Sequence, residues 1–367
     1  QMCIRDRLRV KGLNAYTNTP TVTVTGAGTF LYNKSITIQE AEVTCTSNVA
    51  NFPAMVQLTG ADFQEVEDDV DPDGYDIIFK SLDDATCGGA GLAPCILDHE
   101  IEIYDETNDE LVAWVRIPVL DFDSNTTIYL YYVNALLTAA TQNPTGVWDN
   151  NYKGVWHLTE SGNGTADEYK DSTQYANHGQ GGEGDALFVP TQTAGRIGYG
   201  QDFNNSDTKY DLIDVGNNAS LDITGNQITL EAWVQHNITP AFGNVYGILN
   251  HKGWSNGYRI MLPDNSLKLA FQLPGDSYNL TSAADVTAGG WHHLVATYDS
   301  ANMKIYIDGS KDVNELAKLD NILSVPPTEN EVWIGHGDQP KDVAWSYEWE
   351  GQIDEVRISD IARSQCW

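Results

Sequence analysis

Apolar and polar residues alternate with a period of two along most of this chain, the spacing of strands with one buried face. The first set of such runs is Ile36-Thr37-Ile38, Phe52 to Leu58, Tyr75 to Phe79, Glu100 to Tyr104, Leu111 to Ile117 and Thr127 to Tyr132. Separated by polar turns, these runs predict a β-sandwich. After the turn Asn143-Pro144-Thr145-Gly146 comes Val155-Trp156-His157-Leu158, then a polar, Gly-rich stretch to about Gly184 that reads as loops. Further runs follow at Ile228 to Val234, Tyr258 to Leu262, Leu267 to Phe271, Trp291 to Tyr298, Met303 to Ile307, Val332 to Ile334 and Ile353 to Ile358. Helical periodicity is confined to two short turns, Leu136 to Thr141 and Val313 to Leu319. The pattern therefore predicts an all-β chain with two β-sandwich domains, 31–145 and 146–367, the second truncated at its C-terminal end. Ahead of them, residues 1–30 carry the alternating stretch Pro20 to Gly26, which suits one exposed strand or a linker.

Composition agrees with a folded chain of this kind. The 367 residues are enough for two or three domains, and 10 Trp, 18 Tyr and 9 Phe supply large apolar area for their cores. No run of 18 apolar residues occurs, so no membrane-spanning helix is expected. Charge narrows the partners: 52 acidic against 20 basic residues give a net charge of −32. A field of that sign repels nucleic acid and anionic lipid and attracts divalent cations. It also serves simply to keep an acidic surface solvated. The opening Gln1-Met2-Cys3-Ile4-Arg5-Asp6-Arg7 resembles a translated sequencing adapter, and the chain stops just after a strand signal, so the expectation is a fragment of a longer protein.

Of the five cysteines, Cys87 and Cys95 bracket the loop Gly88 to Pro94 and read as a local disulfide. Seven Asn-x-Ser/Thr sequons, at Asn33, Asn125, Asn163, Asn204, Asn218, Asn237 and Asn279, are candidate glycosylation sites and point weakly to an extracytoplasmic setting.

The second half resembles a laminin-G-like or concanavalin A-like jelly roll. The resemblance rests on Leu230-Glu231-Ala232-Trp233-Val234, Trp291 to Asp299, Ile305-Tyr306-Ile307-Asp308-Gly309 and Gly351 to Ile358. The first half is similar to a domain family of unknown function found upstream of such jelly rolls in large microbial surface proteins. Gly74 to Phe79, Asp98 to Glu102, Trp114 to Pro118 and Ile128 to Tyr132 carry that likeness. It departs at Val133, where the family continues its last strand with glycine. Together the resemblances imply an extracellular bacterial or archaeal protein that binds a ligand and does not turn it over.

Calcium is the cofactor expected. Asp69, Asp71 and Asp73 precede Gly74 in a D-x-D-x-D-G run that gathers alternate carboxylates for a hard cation, although Lys80 stands where an EF-hand would place its last ligand. The pentraxin-type jelly rolls imply a rim site built from Asp211, Asp338, Gln339 and Glu348, with Asp354 as a further ligand. The bland reading of all these acids is that they cap turns or lie on a solvated surface.

For the ligand itself, Trp345, Tyr347 and Trp349 fall at i, i+2 and i+4, so an extended segment sets three rings on one face to stack on sugars. Trp254 is the other exposed aromatic candidate. The competing reading puts Trp349 in the core.

Little favours catalysis. Glu100, Glu102 and Asp105 resemble paired glycosidase carboxylates, but they lie in the half without that resemblance. His292 and His293 are adjacent on a strand and point to opposite faces, so they do not chelate one ion together. No nucleophile elbow, phosphate loop or zinc-protease motif is present.

Three functions remain open: a non-enzymatic adhesin or lectin-like segment that holds a glycan or a surface protein; a subunit of a filament or array assembled by strand addition with copies of itself through Thr21 to Thr25; or accessory domains of a larger polysaccharide-degrading enzyme.

Overall fold

In the computed structural model, residues 22–24, 28–43, 45–67, 74–82, 87, 94–204, 210–239, 245–251, 257–274, 279–324, 331–337 and 348–365 are described. The chain divides between Asp149 and Asn150 into two compact units.

The first unit contains β1 (Val22–Val24), β2 (Gly28–Phe30), β3 (Tyr32–Ile38), β4 (Val49–Thr59), β5 (Ile78–Ser81), β6 (Ile96–Leu97), β7 (His99–Asp105), β8 (Glu110–Leu120) and β9 (Thr126–Tyr132), with two short α-helices, α1 (Ala61–Glu67) and α2 (Pro144–Val147), and a 3-10 turn at Glu40–Glu42. A four-stranded sheet in the order β3-β9-β5-β6 and a three-stranded sheet in the order β4-β8-β7 make the sandwich. Alternation dictates its core: Phe52, Ala54, Val56 and Leu58 of β4 stand opposite Ile117, Val115, Ala113 and Leu111 of β8, and all of them are buried in one cluster.

Val133 follows β9 with φ of 64°, a left-handed conformation that strains a β-branched residue and that glycine adopts freely. The turn is held by Asn134, whose backbone N–H donates to the buried Asp76 carboxylate at 2.8 Å. The chain thus keeps the geometry that the resemblance associates with glycine. At the other end of this unit, the strand expected around Thr21 to Thr25 is β1, and it pairs antiparallel with β2 of its own chain.

The second unit contains β10 (Tyr152–Trp156), β11 (Gln180–Gly181), β12 (Thr191–Ala194), β13 (Tyr199–Phe203), β14 (Ile213–Asp214), β15 (Gln227–His236), β16 (Tyr246–His251), β17 (Arg259–Leu262), β18 (Lys268–Gln272), β19 (Asn279–Asp285), β20 (Trp291–Asp299), β21 (Asn302–Ile307), β22 (Ser310–Ala317), β23 (Val332–Ile334) and β24 (Gly351–Ser359). One sheet runs β12-β13-β24-β15-β20-β21-β22, with β10 also on β24; the other runs β11-β14-β23-β16-β17-β18-β19. Leu230, Ala232 and Val234 of β15, Leu294 and Ala296 of β20, and Ile353, Val356 and Ile358 of β24 face the inner side of the second sheet.

Ile353 and Val356 are three residues apart, yet both point inward. A register shift between Glu231 and Trp233 and a positive φ of 51° at Glu355 supply the bulge that makes this work.

Two expectations are corrected. Val313 to Leu319 is not helical: Asp308 and Gly309, with φ of 50° and 74°, turn β21 back into β22 as a hairpin. Leu136 to Thr141 forms turns without a helix, because Asn134 caps the first of them through Leu136 and Leu137. Among the described residues, no helix is long and apolar enough to cross a membrane.

Candidate functional site

The seven-stranded sheet brings two rows of side chains into register across six strands. Ile213, Ile334, Leu249, Ile260, Phe271 and Leu280 form the inner row and belong to the core. Their chain neighbours Asp214, Trp333, Asn250, Arg259, Gln272 and Asn279 are paired in the same way one position along, so they occupy the opposite face.

This outer row is polar apart from Trp333, and its centre is enclosed. Trp333, Asn250 and Arg259 are 0%, 1% and 3% exposed, Asp214 and Gln272 are half-buried, and Asn279 is exposed. Arg259 donates from Nε to Gln272 Oε1 at 2.9 Å. Asn250 stands between Trp333 and Arg259, and neither its Oδ1 nor its Nδ2 has a hydrogen-bond partner. An amide buried in that state costs about 1–3 kcal/mol relative to a satisfied one.

Residues 335–337 cross this face closely. A Cβ at Gly247 of β16 would sit 2.5 Å from the His336 carbonyl carbon, so only glycine fits beneath it. The His336 ring meets the Trp333 ring edge-on at 5.4 Å, and Tyr210 lies 6.5 Å from His336 on another side. His336 pairs with Glu348 in an isolated antiparallel bridge, and Trp349 N–H donates to the Gly335 carbonyl at 2.8 Å. Gly335, His336, Glu348 and Trp349 are thereby tied to one another beside Trp333.

The eight-stranded sheet carries a different polar arrangement on its outward face. Glu355 accepts from His157 Nδ1 at 2.6 Å and is paired with Arg357. Arg357 also reaches Glu231 at 3.1 Å, and Glu231 faces His293 Nε2 at 3.0 Å. The His293 ring packs on Trp233 at 4.9 Å, and the Arg196 guanidinium lies 4.7 Å over the same indole. Asp354, next to Glu355, is fully buried, and its Oδ2 accepts the backbone N–H groups of Arg196 and Ile197 at 2.7 and 2.9 Å. Burial first, then the charge of Glu355, push its carboxyl well above the usual range, against those N–H groups and His157.

The residues singled out by sequence fare differently. Asp69, Asp71, Asp73, Asp338, Gln339, Trp254, Trp345 and Tyr347 lie outside the described residues. Trp349 is corrected: it is fully buried in the core, with His236 against it at 5.6 Å, and offers no ring to a ligand. Asp354 is corrected as well, since it holds a turn on the eight-stranded sheet, while Asp211 leads into β14 on the other sheet. Asp211 Oδ2 accepts from Asn204 N–H at 2.9 Å, and Glu348 is buried at the bridge to His336. Among the described residues, Asp211, Glu348 and Asp354 do not gather into a three-acid cluster.

In the first unit, Glu100 accepts from the Trp148 indole at 2.9 Å and Glu102 from the Trp114 indole at 2.6 Å. Asp105 caps the turn to Asn108. Cys87 and Cys95 are joined, with their Cα atoms 6.6 Å apart. Of the seven sequon asparagines, Asn33 is half-buried and the other six are exposed. His292 and His293 take opposite faces: His292 contacts Asp308 at 2.8 Å, and His293 contacts Glu231.

Two family models match this chain. Residues 207–367 match the concanavalin A-like lectin/glucanases superfamily (Laminin_G_3), and residues 93–155 match a domain of unknown function, DUF2341. Both resemblances read from the strand motifs are thereby met, in the same order along the chain. No curated protein sequence matches.

Among solved structures, the chain is similar to domain 4 of AbnA, a GH43 extracellular arabinanase from Geobacillus stearothermophilus solved with arabinotriose. Identity is 16%, coverage is 59% of this chain and 95% of that one, and the TM-score is 0.43. It is also similar to the binding domain of botulinum neurotoxin DC solved with SialylT, at 11% identity, 59% and 49% coverage and a TM-score of 0.42. A third is the heptameric SAP-like pentraxin of Limulus polyphemus, at 16% identity, 45% and 77% coverage and a TM-score of 0.34. The chain spans about half the length of the toxin binding domains it matches.

Proposed function

We propose that this chain is the ligand-binding segment of a secreted or surface protein, and that its jelly roll holds a carbohydrate on the outer row of the seven-stranded sheet. The observation that carries this reading is Asn250: a buried amide, between an indole and a guanidinium, with two donors and an acceptor unmet. Hydroxyl groups that both donate and accept are the partners such an amide lacks, and the apolar C–H face of a sugar suits the indole of Trp333. The superfamily matched by residues 207–367, named for lectins and glucanases, is consistent with this ligand class. The reading is one of binding without turnover.

Calcium enters the proposal only at the ends of the 338–347 segment. Glu348 pairs with His336 in the bridge, and Asp211 follows Tyr210, whose ring lies 6.5 Å from that of His336, with Asp338 and Gln339 as further candidates in sequence. The outer row itself does not require the ion.

The test is a glycan array with the purified chain and its Asn250→Leu variant, each with and without chelator. The expected result is a defined set of glycans bound by the wild type and lost in the variant. A blank array for the wild type in calcium sinks the reading, and binding that survives the substitution moves the ligand off the outer row. Loss in chelator assigns calcium a part at the rim; unchanged binding removes it.

A further inference from the structure

With 52 acidic against 20 basic residues, a cation in this chain has a wide choice of counter-charges, and Lys34, Arg116, Lys153, Lys304 and Arg357 each meet a carboxylate. Arg196 does not. Among the described residues its guanidinium meets no carboxylate and no hydrogen-bond acceptor; its contact is the Trp233 indole, 4.7 Å from it. The residue is half-buried, and its nitrogens are not closed off from solvent.

The group is also held in place. Arg196 and Ile197 form the turn from β12 to β13, where Ala194 pairs with Tyr199 and Gly195 N–H donates to the Gly198 carbonyl at 2.9 Å. Asp354 Oδ2 pins that turn through the N–H groups of both residues, and a Cβ at Gly195 would sit 2.7 Å from the same oxygen. Trp233 is 6% exposed and braced by the His293 ring, so the surface under the guanidinium is fixed as well. Asp354 does not supply the missing charge, since burial holds its carboxyl toward the neutral form. A planar guanidinium laid on an indole, with its donors open, is a preformed fork for a carboxylate.

Beside it, on the same outward face of the eight-stranded sheet, a row stands in register across five strands: Thr191, Asp202, Gln352, Gln235 and Trp291. Gln235 and Trp291 are two residues from Trp233 and His293, one outward step of roughly 6.5 Å along their strands. Thr191 is exposed and the other four are half-buried, so the row reaches solvent along its length. The Gln235 and Gln352 amides are engaged only at 3.4 and 3.5 Å. Asp202 has no hydrogen-bond partner among the described residues. Amides and a carboxylate in this state suit hydroxyl groups, and the half-open indole suits the C–H face of a sugar ring.

We infer that this face is a second binding site, and that it takes an acidic saccharide: Arg196 receives the carboxylate of one uronic acid unit, and the row beside it takes the hydroxyls of the adjoining units. An acidic peptide would also meet the guanidinium, but its further carboxylates would be repelled by Asp202, which a hydroxyl instead satisfies. The net charge of −32 works against any anion at long range, and at physiological salt that repulsion is screened beyond about 8 Å. The site stands apart from the Asn250 row on the other sheet, so either reading survives the failure of the other.

The experiment is calorimetric titration of the full chain, at physiological salt, with oligogalacturonate, oligomannuronate and glucuronate-substituted xylo-oligosaccharides, each beside its carboxyl-reduced form, and with a glutamate-rich peptide. The inference expects at least one uronate series to bind and its reduced form to bind at least about tenfold more weakly, the smallest loss expected for a charge-assisted hydrogen bond. Arg196→Gln is expected to weaken the uronate to the level of the reduced form while leaving the reduced form unchanged. Arg196→Lys, which keeps the charge and removes the fork, should fall between the two. Equal affinity for the acidic and reduced forms overturns the inference, as does uronate binding indifferent to Arg196→Gln. Binding of the peptide alone overturns the saccharide and assigns the guanidinium to a protein partner. Absence of binding to every probe overturns the site. Should Arg196→Gln fail to fold, the comparison of acidic with reduced ligands on the wild type and the Arg196→Lys variant decide the matter by the same thresholds.

Discussion

On the eight-stranded sheet, Glu231, Glu355 and Arg357 are buried alongside His157 and His293, and each acid faces a base. On the seven-stranded sheet, Asn250 is buried as deeply, and its amide meets nothing. Both arrangements are polar groups removed from water in the same domain, so burial alone does not distinguish structure from function. What differs is the degree of satisfaction: the charges of the network are paired with one another, although His293 Nδ1 has no hydrogen-bond partner, and removal of one member strands the rest. An open amide lowers stability, and its retention points to a partner from outside the chain.

The difference can be broken or sharpened by substitution. Arg357→Met should have the largest effect, because it leaves Glu231 and Glu355 without their shared cation; a loss of about 3–5 kcal/mol in urea unfolding is expected, with glycan binding at the outer row preserved in the fraction that folds. A variant as stable as the wild type would show the network to be dispensable.

Asp312 extends the satisfied class to the sheet edges. Its carboxylate accepts the N–H groups of Ala283 and Ala284 on β19 and of Asn314 on its own strand, tying the edge of one sheet to the edge of the other. Asp312→Ala should cost about 1–3 kcal/mol and free an edge for self-association, read by unfolding and light scattering, again without changing ligand affinity.

The smallest effect is one of pH. The hydrogen bond to Asp308 raises the His292 imidazole above its ordinary value, against its burial. Burial would raise Asp308, but its bonds from His292 and from the His293 N–H hold it lower. A raised histidine contributes fully below its unfolded value of about 6.5, and that contribution fades as pH climbs through the folded value. The lowered acid contributes above about pH 4 and loses its share on acidification. The wild type should therefore exceed His292→Gln in Tm most clearly between these limits, and the gap should narrow above neutral pH. A gap that widens with rising pH would reverse the assignment.

Much of the fold was legible because alternation survives in the strands that build the cores. Phe52 to Leu58 and Leu111 to Ile117 show it directly, and Gly351 to Ile358 shows it on either side of the bulge at Asp354 and Glu355. The outer row was not legible. β16 reads Tyr246-Gly247-Ile248-Leu249-Asn250-His251, and a register shift between Gly247 and Leu249 removes the period that would tell which face Asn250 takes. Val332-Trp333-Ile334 reads as an apolar run, so the outward turn of Trp333 is hidden by its own hydrophobicity. The one available signal was Arg259, a lone cation between Tyr258 and Ile260, since a charge flanked by core residues marks the other face. The aromatic trio misled in the opposite direction: Trp349 has the spacing of a binding face and the burial of a core residue.

The most direct test of the account is urea unfolding of Asn250→Leu, a substitution close in shape that removes only the polarity. The midpoint should rise at unchanged slope, a gain of about 1 kcal/mol, as an unsatisfied amide is replaced by apolar surface. A fall of similar size would mean that the amide is already satisfied in the folded protein, and the outer row would then be structural, like the network on the opposite sheet.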